Sequence, residues 1–376
     1  MAHQTAPSRV LIAVASAALL ALGISVVPET TRAADGVPTA TLTGAELLNL
    51  PGTVDSNSPV LRDMVRGQFR MFVMTSSSGQ PTVSSGTGLT RMTRPQPVRF
   101  TAHPGDGVWM ESVVQDEGGT WYGFYHQERP VAGCGRPGMV RPRVGAARST
   151  TRGLIWEDLG LVIEAPPGSD VCDSPNRYFV GGVGDLSVIL DEDKRYLYLF
   201  FSQYSRAAAA QGVGVARMPW AARDRPQGEL DAWVQGAWVP IARPDDASES
   251  SGEPAWRFRS ATPLVRPARP WHDRDSVDDG FWGPAVHWNT AIGQYVMLLN
   301  RTADNAFSQE GVYVSFARRL DTPSLWTAPT RLLKGGTWYP QVVGDDPRTG
   351  TDTRAGATAR FFMGGVSNHT IWFRYQ

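Results

Sequence analysis

The chain has 376 residues, with 36 Lys and Arg against 36 Asp and Glu, so its formal charge is zero and no Lys/Arg cluster dominates. That balance argues against a nucleic-acid footprint. Its 13 Trp, 39 Gly and 28 Pro describe a turn-rich chain whose flat aromatic faces suit either a large core or a sugar-binding cleft. Residues 1–34 read as a signal peptide: Arg9 opens it, Val10 to Val27 is mostly apolar, and Thr31 and Ala33 are spaced like a processing site. Cleavage is expected after Ala33 or Ala34, and an uncleaved membrane anchor is the alternative. Residues 35–54 read as an N-terminal linker and 55–376 as one domain. The mature protein is expected to be soluble, secreted or periplasmic, monomeric, and without a membrane partner.

From there the chain runs through short β-like segments bounded by Gly, Pro, Asp or Asn, with little helical periodicity. A recurrent unit is an apolar strand, a polar turn and an aromatic-rich strand. It is seen weakly in "SPVLRDMVRGQFRMFVM", then clearly in "ESVVQDEGGTWYGFYH", "DLSVILDEDKRYLYLFF" and "GPAVHWNTAIGQYVMLLN", and weakly again after Tyr339. The copies align on Val60, Val113, Val188, Val286 and Val342, and further strand-like runs follow each hairpin. Five such units without βα alternation predict an all-β, five-bladed β-propeller. A chain of two β-sandwiches is the alternative. In a propeller, the residues ahead of the five valines converge on one funnel.

Cys134 and Cys172 lie in polar loops, and in an oxidising compartment the expected arrangement is one Cys134–Cys172 disulfide, with two free thiols as the alternative. No CxxC spacing suggests a metal site.

The hairpin "VGDLSVILDEDKRYLYLFFS" resembles the Asp-Pro-Ser strand, acidic turn and aromatic strand of the five-bladed family 43 glycoside hydrolases, and "FWGPAVHWNTAIGQYVMLLNR" resembles their later Glu-Gly-Pro blade. The resemblance implies a carbohydrate-active propeller that needs no organic cofactor. A structural calcium in its channel would have no ligand motif here. Asp185 takes the position of the family's second, pKa-tuning Asp. Trp282 stands where the acid Glu would be, and Asn57 or Met110 stands in the register of the first-blade base. A weaker likeness joins "STTRGLIW", Ser149 to Trp156, to the Asp-box of sialidase propellers, a structural turn remote from their active sites.

Glycoside hydrolysis usually needs two carboxyl groups, one kept protonated and one ionised. Asp185 is the central candidate. Glu111 lies one residue out of its register, so a local bulge is required to aim it at the funnel. In "FYHQER", His126 and Glu128 are two apart and share a face if the strand persists. His126 could hold a sugar hydroxyl or tune an acid, and Glu128 could supply the proton; a Glu128–Arg129 charge pair in a loop is the plainer reading. Asp279 is the reserve carboxylate, or simply part of an Asp-Asp-Gly turn. Trp109, Trp282 and Trp338 precede comparable strands and are candidate stacking platforms. Arg301 is a candidate hydroxyl or carboxylate fork, and Asn57 and His287 are candidate channel-lining groups. The preferred reading is a carbohydrate hydrolase, with a non-catalytic carbohydrate-binding propeller as the alternative.

Overall fold

The computed structural model describes Met1 and residues 36–102, 104–244, 256–267, 271 and 280–376. The expected signal peptide and Asp279 lie outside the described residues. From Gly36 to Gln376 the chain forms one compact unit, and its regular elements among those residues are strands and short 3-10 turns.

Five sheets, antiparallel apart from two short parallel pairings, form the ring of a five-bladed β-propeller. The innermost strands, one per blade, are Val60–Val65, Gly107–Gln115, Val183–Leu190, Phe281–Asn289 and Gln341–Gly344. Each blade then runs outward through its antiparallel neighbours; the third, for example, continues through Tyr196–Gln203, Gly212–Pro219, Asp231–Val234 and Ala237–Pro240.

The five aligned valines fall one in each blade interface. Val60 packs with Val343 and Phe362 of the fifth blade, Val113 with Leu61 and Phe72 of the first, and Val188 with Phe124 and Val144 of the second. Val286 packs with Phe200 and Val215 of the third, and Val342 with Leu298 and Val312 of the fourth. Burial of both faces of the inner strands explains their almost unbroken apolar runs.

Neighbouring blades splay, so their inner strands cannot share a full ladder, and buried polar side chains close the gaps instead. Ser76 Oγ accepts from Met110 N (3.0 Å), Ser112 Oγ from Val188 N (2.8 Å) and Ser187 Oγ from Val286 N (3.0 Å). Gln341 Oε1 accepts from Ser58 N at 2.7 Å where the ring closes.

The segment expected to be a linker is instead structural. Pro38–Asn49 is the outer strand of the fifth blade, paired antiparallel with Val366–Tyr375 from Pro38↔Tyr375 to Asn49↔Val366. The blade would otherwise leave the Val366–Tyr375 edge open, and sheet edges are costly to expose. The Ser149–Trp156 segment forms the hairpin turn its sequence suggests. Ser149 Oγ accepts from Gly153 N (3.1 Å), Thr151 Oγ1 accepts from Ile155 N (2.8 Å), and the buried Trp156 donates to Gly153 O (2.9 Å). Thr151 thus does hydrogen-bonding work with a hydroxyl where the box has a carboxylate.

Cys134 and Cys172 are bonded, with Cα atoms 4.9 Å apart. The bridge joins the loop after the second blade's Trp121–Pro130 strand to the loop that leads into the third. Arg136 donates to the carbonyls of Ser174 and Asn176 beside it. Closing a loop of 38 residues should stabilise the fold by about 3–4 kcal/mol through the unfolded chain. A Cys134→Ser/Cys172→Ser variant is therefore expected to melt at lower temperature than the oxidised protein. Equal melting of the two would show that the bridge adds nothing to stability.

Candidate functional site

The inner strands do not begin smoothly. Ladder register slips between Met110 and Ser112, between Gly184 and Leu186, and between Trp282 and Ala285, a bulge in each of three blades. Asp185 (φ 39°) and Tyr339 (φ 58°) hold left-handed backbone, and Gly283 (φ 55°) does so in the matching register of the fourth blade. For a non-glycine residue that conformation costs about 1–2 kcal/mol. Such strain gathers where a side chain must be re-aimed.

The bulge at Glu111 supplies the turn its sequence position required. Its carboxyl points across to the third blade, where Oε2 accepts from Leu186 N at 3.0 Å, while Oε1 contacts His126 Nδ1. The backbone N–H of Asn57 also donates to this carboxyl. Glu111 is 1% exposed and His126 4%. The contact needs one proton between the two heavy atoms. Burial is the main cause that holds the Glu111 carboxyl well above the ordinary range.

His126 is clamped in place. Trp109 stacks on it with ring centroids 4.8 Å apart and planes 12° apart, and Glu128 Oε1 lies 3.9 Å from its Nε2. The Trp109 indole also donates to Asp55.

Asp185 completes the buried layer. Its Oδ2 accepts from the hydroxyl of Tyr204, and Ser202 Oγ donates to its backbone carbonyl at 3.2 Å. Burial, and then the neighbouring Glu111, push the Asp185 carboxyl up to about 7. The Tyr204 hydrogen bond pulls the other way. Replacing Tyr204 by Phe is therefore expected to raise the Asp185 titration further, by up to about one unit. A carboxyl NMR titration reads this directly, and an unmoved midpoint would show that the phenol does not stabilise the carboxylate.

Asp55 and Glu128 form the outer layer. Asp55 is partly exposed and the Glu128 side chain is 27% exposed. Burial is the leading cause that raises both carboxyls above their ordinary values, partly offset by attraction to His126. Glu128 also feels the charge of Asp185 and Asp55, and Asp185 that of Glu111 and Asp55.

Ligating atoms of Glu111, His126 and Asp185 lie within 4.8 Å of one another, a set able to close on a metal ion. Both oxygens of Glu111 already have protein partners, so shared protons suffice to account for the arrangement. The separation is also short, and the groups too buried, for Glu111 and Asp185 to flank a glycosidic bond, which needs about 5–9.5 Å between carboxyl groups.

Asp185, Glu111, His126 and Glu128 thus meet at one point. Other expected residues do not face it. Asn57 is a tie across the propeller axis: its Nδ2 donates to Leu186 O and Pro284 O, both at 2.9 Å. His287 is buried in the interface of the fourth and fifth blades against Phe373, where burial pushes its imidazole down to about 3. Arg301 is held within its own blade, its Nη1 donating to Tyr313 at 3.0 Å with Glu310 at 3.9 Å. Trp282 is no open platform. It is 3% exposed and meets Phe307, Trp338 and Tyr339 edge-on at centroid distances of 5.2, 5.6 and 5.8 Å. Trp109 is likewise covered, at 8% exposure, by its stack on His126. Of the three tryptophans only Trp338 is half-buried, with its indole N–H given to Phe307 O at 2.9 Å.

Asp55, Tyr204, Phe307 and Trp271 escaped the sequence reading. The last three join Phe179, Trp282, Trp338 and Tyr339 in an aromatic cluster that includes Tyr204, the partner of Asp185. Asp55 carried one signal: an acid in "VDSNSPV", just ahead of an aligned strand.

No family model and no curated protein matches the sequence. Several solved structures resemble the fold. An endo-arabinase from Bacteroides thetaiotaomicron is 12% identical with a TM-score of 0.47, covering 88% of this chain and 98% of its own. A thermostable family-43 glycoside hydrolase is 11% identical with a TM-score of 0.47, covering 87% and 92%. An α-L-arabinanase from Penicillium chrysogenum, complexed with arabinobiose, is 9% identical with a TM-score of 0.46, covering 89% and 98%.

Proposed function

We propose that the chain is an exported hydrolase of glycosidic bonds, with Glu128 as general acid and Asp55 as the ionised carboxylate opposite it. The observation that carries the reading is the layering of acids from three blades. Two buried groups, Asp185 and the Glu111–His126 pair, lie beneath two accessible ones. A carboxyl with raised pKa can donate a proton near neutrality. Glu128 would give its proton to the glycosidic oxygen as the bond to the anomeric carbon breaks. Asp55 would act on the opposite face of the sugar, toward water or toward the anomeric carbon itself. Asp185, near 7, would tune both through charge, as a positioning residue without touching the sugar. Export is supported by the N-terminal sequence pattern and by the disulfide, which suits an oxidising compartment.

A glycan-binding propeller without turnover is the second reading. Trp282 in the register of the expected acid favours it, as does the self-packed aromatic cluster at that end of the strands. Reducing-sugar release from a panel of plant and microbial polysaccharides separates the two. Release that vanishes in Glu128→Gln supports hydrolysis, whereas binding without release by the wild-type protein supports the second reading.

A further inference from the structure

A second cavity lies away from these acids. It is a groove of about 670 Å³ between the first and second blades, at the end of the strands opposite the carboxylates. Two hairpin turns flank it, Arg66-Gly67 from one blade and Arg152-Gly153 from the other. All four residues are left-handed, with φ of 50° and 78° in the first turn and 56° and 81° in the second. The first is a two-residue turn, between the paired Val65 and Gln68, and such turns favour Asn, Asp or Gly at the first position. Arginine there accepts a local strain that its side chain must offset by other means.

The local charge is one-sided. In a chain with equal numbers of positive and negative side chains, residues 60–100 hold six arginines and a single acid, Asp63. Asp63 pairs with Arg152. Arg66 and Arg70 line the groove and have no acidic partner among the described residues. The remaining walls mix amides and hydroxyls, including Gln68, Gln96 and Ser84, with apolar Val65, Phe72, Val83 and Leu154. Ser84 is 2% exposed, and its buried hydroxyl has no hydrogen-bond partner. An orphaned buried hydroxyl normally marks a missing ligand or water.

We infer that this groove is a second binding site, for an acidic oligosaccharide whose carboxylates meet the planar forks of Arg66 and Arg70 and whose hydroxyls meet the amides and Ser84. Arginine forks match carboxylates bidentately. The lining offers hydroxyls and amides, and its one aromatic residue, Phe72, is buried, which suits a sugar better than a nucleobase that stacks on exposed aromatic faces. The site would hold a uronate-bearing chain independently of any chemistry at the opposite end of the strands.

Calorimetry of the full chain with hexagalacturonate tests this, with neutral maltohexaose, inorganic phosphate and a thymidine oligonucleotide as comparison ligands. Saturable uronate binding is expected, weakening as salt is raised and exceeding that of the other three ligands. It should fall at least tenfold in Arg66→Gln/Arg70→Gln with the melting temperature unchanged. Arg66→Asn should also weaken it, while melting at the same or a higher temperature because Asn suits the turn. The inference is overturned by undetectable hexagalacturonate binding, by equal binding of maltohexaose, by equal or tighter binding of phosphate or the oligonucleotide, or by full retention of affinity in the double variant.

Discussion

Replacing Asp55 by Asn is expected to lower turnover of a cleavable glycan by about 10²–10⁴-fold, with folding intact. The expectation rests on accessibility. Of the four acids in the cluster, Glu111 and Asp185 are 1% and 4% exposed, so neither can reach a sugar ring without opening the fold. Asp55 and Glu128 are the two left, and they come from different blades. Asp55 is oriented by the Trp109 indole, which donates to its ionised form, and by its own backbone N–H bonded to Ser76 O at 2.8 Å. An Asn there keeps the size and loses the charge, so substrate affinity should change little while kcat falls. Glu128→Gln should do the same on substrates with poor leaving groups and cost far less where the leaving group needs no proton. If Asp55→Asn retained wild-type kcat, the assignment of the ionised role to this residue would be wrong.

The split between what could and could not be read from the sequence follows from locality. Val60, Val113, Val188, Val286 and Val342 could be aligned because inner strands buried on both faces leave long apolar runs, and all five lie at equivalent interfaces. Glu111, His126, Glu128 and Asp185 could be placed because they sit in strands, where period-two alternation relates sequence to direction. Asp55 precedes its strand by five residues, and there alternation says nothing of where a side chain points. Asn57, chosen by register, instead ties three blades together at the axis. The tryptophans misled for another reason. Position along a strand reveals that a ring is near the funnel, but Trp109 is covered by His126, and the cover over Trp282 and Trp338 comes from distant loops: Phe179, Phe307 and Trp271. Pro38–Asn49 looked like a linker because its partner, Val366–Tyr375, lies at the other end of the chain.

The second large effect concerns stability rather than rate. Asp185→Asn is expected to make the protein more stable than wild type above pH 7 and to leave it little changed near pH 4. Asp185 has its carboxyl raised from 3.8 to about 7 in the fold. Below pH 4 it is protonated in both folded and unfolded chains. Between the two values the unfolded chain releases the proton and the folded chain keeps it, so stability falls with rising pH through this window. Above pH 7 the loss is complete. Three pH units at 1.36 kcal/mol each set it at about 4 kcal/mol as an upper bound for this group. Glu111, raised in the same direction by burial, adds to the trend and is coupled by charge to Asp185. Asn at 185 mimics the protonated acid in shape, can still accept from Tyr204, and tolerates left-handed backbone. Its melting temperature should therefore vary less between pH 4 and 8, with the two proteins converging at the acidic end. Parallel melting curves for variant and wild type across that range would mean that Asp185 ionises in the folded protein as freely as in the unfolded chain. A stable variant without turnover would instead identify Asp185 as a buried charge retained for activity at a cost in stability, the trade expected where a fold holds strained and desolvated groups for function.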